Sequence, residues 1–136
     1  MTNPALRARY MSTSVTTASP GQLLVMLYDR LVIDLTRAEE ALLTGDRTAG
    51  SAQLLHAQDI IVELRSTLNV DVWEGGPGLA QLYDFLLREL IRANVRADAG
   101  VAASCRALVE PLRDAWRQAH ALVQADAAVA APAQVG

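Results

Sequence analysis

Apolar residues recur at alternating intervals of four and three from Leu24 through Tyr28, Leu31, Leu35 and Ala38 to Leu42, which makes one continuous stripe down an α-helix. Its start is well marked. Ser19 is a capping residue, Pro20 stands at the first helical position where no amide bond is needed, and Gln22 is placed to complete a capping box. Gly45 suits the turn that closes this helix, so a helix is expected over 20–43. A second run, Leu23, Met26, Leu27 and Ile33, widens the apolar surface over the first half, while Asp34, Arg37, Glu39 and Glu40 keep the second half polar outside the stripe. That extra width is met either by another helix of the chain or by a partner.

The same spacing continues downstream. Asp46 caps a second helix over 47–68 with the stripe Leu54, Ala57, Ile61, Leu64 and Leu68, and the short link forces an antiparallel neighbour. Leu55 and Val62 form a partial second face there, flanked by His56 and Gln58 outside the stripe. Residues 69–78 break the pattern with adjacent glycines and Pro77, and Trp73 within them is large enough to cover one end of a bundle. A third helix is expected over 79–97, with Leu79, Leu82, Tyr83, Leu86, Leu90, Ala93 and Ala97 inward and Phe85, Leu87 and Ile91 adding apolar surface. Asp98 then caps a fourth over 99–125, with Val101, Cys105, Leu108, Leu112, Ala115, Ala119 and Leu122 inward and a kink expected at Pro111.

These elements predict an all-α fold, an antiparallel four-helix bundle over 19–125 with an N-terminal arm at 1–18 and a frayed C-terminal tail at 126–136. The arm has room for a short extra helix over 5–11. It is too short to hold itself together in water, and Tyr10 is the residue best suited to dock it, burying a ring while its hydroxyl stays hydrogen-bonded.

At 136 residues the chain has the size of one domain. A net charge of −3 gives no general attraction to nucleic acid or anionic membrane, and all the basic residues are arginine. The lone Cys105 falls in a core stripe, pointing to a reducing compartment. No basic segment followed by an apolar run begins the chain and no stretch is apolar enough to span a bilayer, so a cytoplasmic protein without stable membrane insertion is expected.

Chemistry is sparse. Glu63, Glu89 and Glu110 lack the Glu-x-x-His partners of a diiron bundle. His56, His120 and Cys105 each lack a second ligand at useful spacing, and no serine or cysteine has a base beside it, so no metal, cofactor or catalytic residue is expected. Arg88, Arg92 and Arg96 form a row on the third helix, but Asp84, Glu89 and Asp98 offer local ion pairs, which argues against nucleic acid. The surplus is apolar surface. It fits either a groove for an amphipathic helix of another protein, with Met26 as an adaptable wall, or a self-associating structural bundle.

Tyr10, the run VTTASP at 15–20 and QLLVMLYD at 22–29 resemble the opening of the flagellar secretion chaperone family, FliS. The similarity continues through Ala38, AQDII at 57–61, Glu63-Leu64, Leu68, LYD at 82–84 with Leu90, Ala93 and Asn94, and Leu112-Arg113 with Ala115-Trp116, covering residues 8–120 in order. The approach to the third helix, EGGPGLA at 74–80, departs from the family's usual Gly-Glu-Ile-Ala-like sequence, and Pro111 and the Ala-rich tail are individual to this chain. The resemblance implies a non-enzymatic chaperone that binds the disordered C-terminal segment of flagellin in hydrophobic grooves. Such binding prevents premature polymerisation and keeps the client competent for flagellar type III export, with no cofactor. An export-gate component and flagellar regulators are implied as further partners, and a monomer or weak homodimer as the working state. The other functions open to such a groove are service to a different helical client and regulation through a bound helix. The expected client contacts are Leu23, Met26, Leu27, Leu55, Val62 and Ile91, chosen as apolar positions beyond the main stripes, with the arm residues Tyr10 and Val15 covering the groove when no client is bound.

Overall fold

The Ser19 hydroxyl accepts the Gln22 amide proton at 3.1 Å, with Pro20 in the first turn, and fixes where the first helix begins. Only this half of the expected capping box is made. The computed structural model describes residues 19–130, which form α1 (Pro20–Leu43), α2 (Arg47–Thr67), α3 (Gly76–Arg96) and α4 (Ala99–Ala130). The arm at 1–18, with Tyr10 and Val15, and the last residues, 131–136, lie outside the described residues.

The two tight links are made as their sequences dictate. Gly45 takes φ 81°, a left-handed value that a side chain disfavours, and the Asp46 carboxylate accepts the Ala49 amide proton at 3.0 Å. Between α3 and α4, Ala97 itself adopts φ 51° and Asp98 accepts the Val101 amide proton at 3.2 Å. A left-handed alanine costs on the order of 1 kcal/mol, and the turn it makes lets the Asp98 amide bond the Ala93 carbonyl at 2.9 Å, closing the last turn of α3.

α3 starts earlier than the stripe alone indicates, because Pro77 is compatible with a first helical turn. The Leu79 amide bonds Gly75 at 3.0 Å, and a Cβ on Gly76 would come within 2.8 Å of the Val70 backbone. The loop therefore folds tightly onto that glycine. Trp73 lies over Gly75 and tilts against Trp116, ring centres 6.1 Å apart, while Trp116 in turn meets Tyr28 at 6.3 Å. These rings close one end of the bundle.

α1 packs chiefly on α4 and α2, α2 on α3, and α3 more sparsely on α4. Ion pairs give the directions. Arg117 meets Asp29 at 2.7 Å and Arg106 meets Glu39, so α4 falls in number as α1 rises, and the helices are antiparallel. Tyr28, Leu31, Leu35, Leu54, Ile61, Leu64, Tyr83, Leu86 and Leu90 fill the centre as their stripes predict. Among them the Tyr28 and Tyr83 hydroxyls share a hydrogen bond of 2.6 Å, and burial raises both phenols above their ordinary range. Cys105 is buried on α4, its thiol pushed up to about 11 by desolvation.

Three expectations change. On α4 the inward line is Val101, Ala102, Cys105 and Val109, followed by Leu112 and Trp116, whereas Leu108, Ala115, Ala119 and Leu122 are exposed. A strict alternation of four and three has period 3.5, which drifts by about 20° per heptad on a helix of 3.6 residues per turn. The α1 stripe escapes this drift because it begins and ends on a spacing of four. α4 is one helix across Pro111, as expected, but it runs past the expected end at 125, through Ala130. Pro111 and Ala107, whose carbonyl loses its usual partner, are both exposed, and the alanines beyond Asp126 favour the helix.

The third change is polar. Asp34, expected outside the stripe, is fully buried between α1 and α2. Its carboxylate meets His56 Nδ1 through one oxygen and Arg30 Nε at 3.1 Å through the other, the latter off the line of a hydrogen bond. Burial raises the Asp34 carboxyl above its usual range, with His56 and then Arg30 pulling it back.

Candidate functional site

The α2–α3 flank holds the largest part of the expected contact set. Arg65 on α2 bonds Asp84 on α3 at 3.3 Å, and a cavity wall brings Leu55 beside Asn94, so the two helices run antiparallel with Val62 level with Leu87. Leu55 is 50 % exposed and Ile91 46 % exposed, with Val62 and Leu87 half-buried between them and the core. These side chains give that flank its apolar surface. At its far end lies a cavity of about 500 Å³, walled by Leu42, Ala52, Leu55 and Ala97 and by the polar side chains Arg47, Thr48, Ser51 and Asn94.

The remaining expected contacts lie elsewhere. Leu23 and Met26 are half-buried on the first turns of α1, and Leu27, next to them, is only 5 % exposed and belongs to the core. The structure therefore joins Leu55, Val62 and Ile91 into one flank and leaves Leu23 and Met26 on another helix.

A second apolar flank escaped the periodicity. Phe85 on α3 and Leu108 on α4 are both exposed, stand at comparable height from the α3–α4 link, and sit above the half-buried Leu82 and Leu112 where the two helices pack most sparsely. Leu108 was assigned inward by its place in the α4 stripe. The signal that distinguishes it is the neighbour Val109, which continues a 3.6-residue period from Ala102 and Cys105.

Charge on α3 is arranged differently from the expected Asp84–Arg88 pairing, since Asp84 goes across to Arg65. Arg92 instead forks onto Glu89 through bonds of 3.0 and 2.7 Å, and this holds the Glu89 carboxyl below its ordinary range, with Arg88 and Arg96 adding to the effect. Among the described residues no three His, Cys, Asp or Glu side chains converge, and no helix is long and apolar enough to cross a membrane.

The family model for "Flagellar protein FliS" matches residues 1–123. The flagellar secretion chaperone FliS of Bacillus subtilis strain 168 is 37 % identical over 110 residues, covering 81 % of this chain and 82 % of the relative. Its counterpart in Salmonella typhimurium strain LT2 is 34 % identical over 111 residues, covering 79 % and 82 %. Among solved structures, one described as a flagellar chaperone from bacteria superposes with a TM-score of 0.68 at 26 % identity, covering 85 % of this chain and 97 % of that one. With the family model matching residues 1–123 and relatives 37 % and 34 % identical over about four-fifths of the chain, the protein belongs to the FliS family of flagellar secretion chaperones.

Proposed function

We propose that this protein is a cytoplasmic export chaperone whose client is the C-terminal segment of flagellin, held as helix against apolar grooves and so kept from polymerising before type III export. The observation that carries the proposal is the α2–α3 flank, where Leu55 and Ile91 remain about half exposed beside the half-buried Val62 and Leu87. A client segment that forms helix only on binding must offset its ordering cost with apolar contact. Leu55, Val62 and Ile91 supply it first, Phe85 and Leu108 extend it round the bundle, and Leu23 and Met26 offer a further edge on α1.

Leu55→Asp and Ile91→Asp test this directly. Each places a carboxylate against apolar client surface, where an unpaired charge is costly, and each changes a side chain exposed enough to leave the fold intact. Calorimetric titration with cognate flagellin should show affinity falling at least about tenfold for each variant, with circular dichroism unchanged. Leu27→Asp is unsuitable, because its burial makes unfolding indistinguishable from a binding defect. Failure of the unaltered protein to associate with its flagellin would overturn the proposal.

The arm belongs to the same proposal. With Tyr10 and Val15 covering apolar surface in the free protein, deletion of residues 1–17 should raise client affinity and increase binding of a hydrophobic dye. Unchanged affinity together with unchanged dye binding would remove the arm from the groove.

A further inference from the structure

The groove changes character at its Leu55 end, where the cavity walls carry Arg47, Thr48, Ser51 and Asn94. Within the described residues none of these four side chains has a hydrogen-bond or ion-pair partner. Together they present guanidinium and amide N–H groups and two hydroxyls, a set rich in donors and carrying one positive charge. Asp46, the adjacent acid, is engaged by the Ala49 amide. Arg47 also sits in the first turn of α2 with no acidic residue in that turn, a place where a cation opposes the helix dipole. Helix stability therefore does not account for it.

We infer that this cavity seats the free C-terminal carboxylate of the client, with Arg47 as its ionic partner, Asn94, Thr48 and Ser51 as further donors, and Leu42 and Leu55 receiving the last apolar side chain. This rests on the proposed binding of the flagellin C-terminal segment and adds to it a direction and an end point. Charge complementarity selects the ligand. An apolar groove that ends in a cationic, donor-rich cavity matches a chain whose apolar side chains end in a carboxylate. The client then runs from the Val62 level toward Leu55, opposite in direction to α2, and a guanidinium–carboxylate contact at the terminus fixes its register.

The test uses the full-length protein and a synthetic peptide of the cognate flagellin's C-terminal segment, made once as the free acid and once as the C-terminal amide. Calorimetry should show that amidation weakens binding to the unaltered protein about tenfold. Arg47→Gln, at an exposed position, should weaken the free acid by a similar factor and bind acid and amide equally. Equal affinity of acid and amide for the unaltered protein, with Leu55→Asp still weakening both, would overturn the carboxylate seat while leaving the groove in place. Losses from amidation and from Arg47→Gln that multiply independently would also overturn it, since the two groups would not be partners. If neither peptide binds, the groove proposal and the seat fall together.

Discussion

Leu31→Ala is expected to lower the unfolding free energy by about 2–5 kcal/mol, and denaturant titration followed by circular dichroism measures it directly. Leu31 is 0 % exposed and stands on the central stripe of α1, which packs on both α2 and α4. Truncation removes the transfer free energy of the buried methyl groups and leaves a void. α1 is tied to α4 by the Arg117–Asp29 and Arg106–Glu39 contacts, which limit how far it can settle inward to fill the space. A cost in the upper half of the range follows. A change below about 0.5 kcal/mol would mean that α1 packs in a different rotation from the one described. The comparison of interest is Leu108→Ala. Leu108 shares the expected stripe of α4 with Cys105 but is exposed, so its loss should leave stability nearly unchanged.

That contrast marks how far the fold was legible in the sequence. Where a stripe keeps close to 3.6 residues per turn, as from Leu24 to Leu42, all its members pack inward, because helix geometry alone decides which side chains share a face, while Leu27 and Val32 are buried beside it. On α4 the chain offers two overlapping stripes, one through Leu108, Ala115 and Leu122 and another through Val109, Leu112 and Trp116. Only packing against α1 and α3 selects between them. The same holds for the polar interior. Asp34 lies one residue from the stripe and reads as solvent-facing, and its burial is dictated by His56, which is 22 positions away in the chain.

The candidate site was legible in part for a related reason. Leu55, Val62 and Ile91 were found because an apolar residue outside a core stripe is an anomaly on a single helix. Their union into one flank depends on the register set by Arg65 and Asp84. Leu27 looks identical in sequence, but it is buried in the core. The polar end of the groove could not be seen at all, since Arg47 and Asn94 come from helices whose juxtaposition at that end only the folded bundle establishes.

His56→Leu is expected to cost about 3 kcal/mol at neutral pH, and the loss should shrink on acidification. Asp34 is fully buried, and His56 is the foremost influence holding its carboxyl down against desolvation, ahead of Arg30. Leucine fills a comparable volume but leaves the carboxylate facing apolar surface on that side, with Arg30 alone to compensate. The sign follows from proton binding. Burial already raises the Asp34 carboxyl above its unfolded value, so across the window between the two the folded state binds more protons than the unfolded state, and stability falls as pH rises. Removing His56 lifts the folded value further and widens that window upward. The variant should therefore be weakest relative to the unaltered protein near pH 7 and recover as pH drops toward about 4, the ordinary aspartate value. Denaturant midpoints for both proteins across that interval give the curve. Asp34→Leu combined with His56→Leu removes the buried charge as well, and should regain most of the loss at pH 7 while its own stability loses the pH dependence that Asp34 confers. A His56→Leu cost that stays constant from pH 4 to pH 7 would show that the imidazole acts by packing alone and that Asp34 carries no charge in the folded protein.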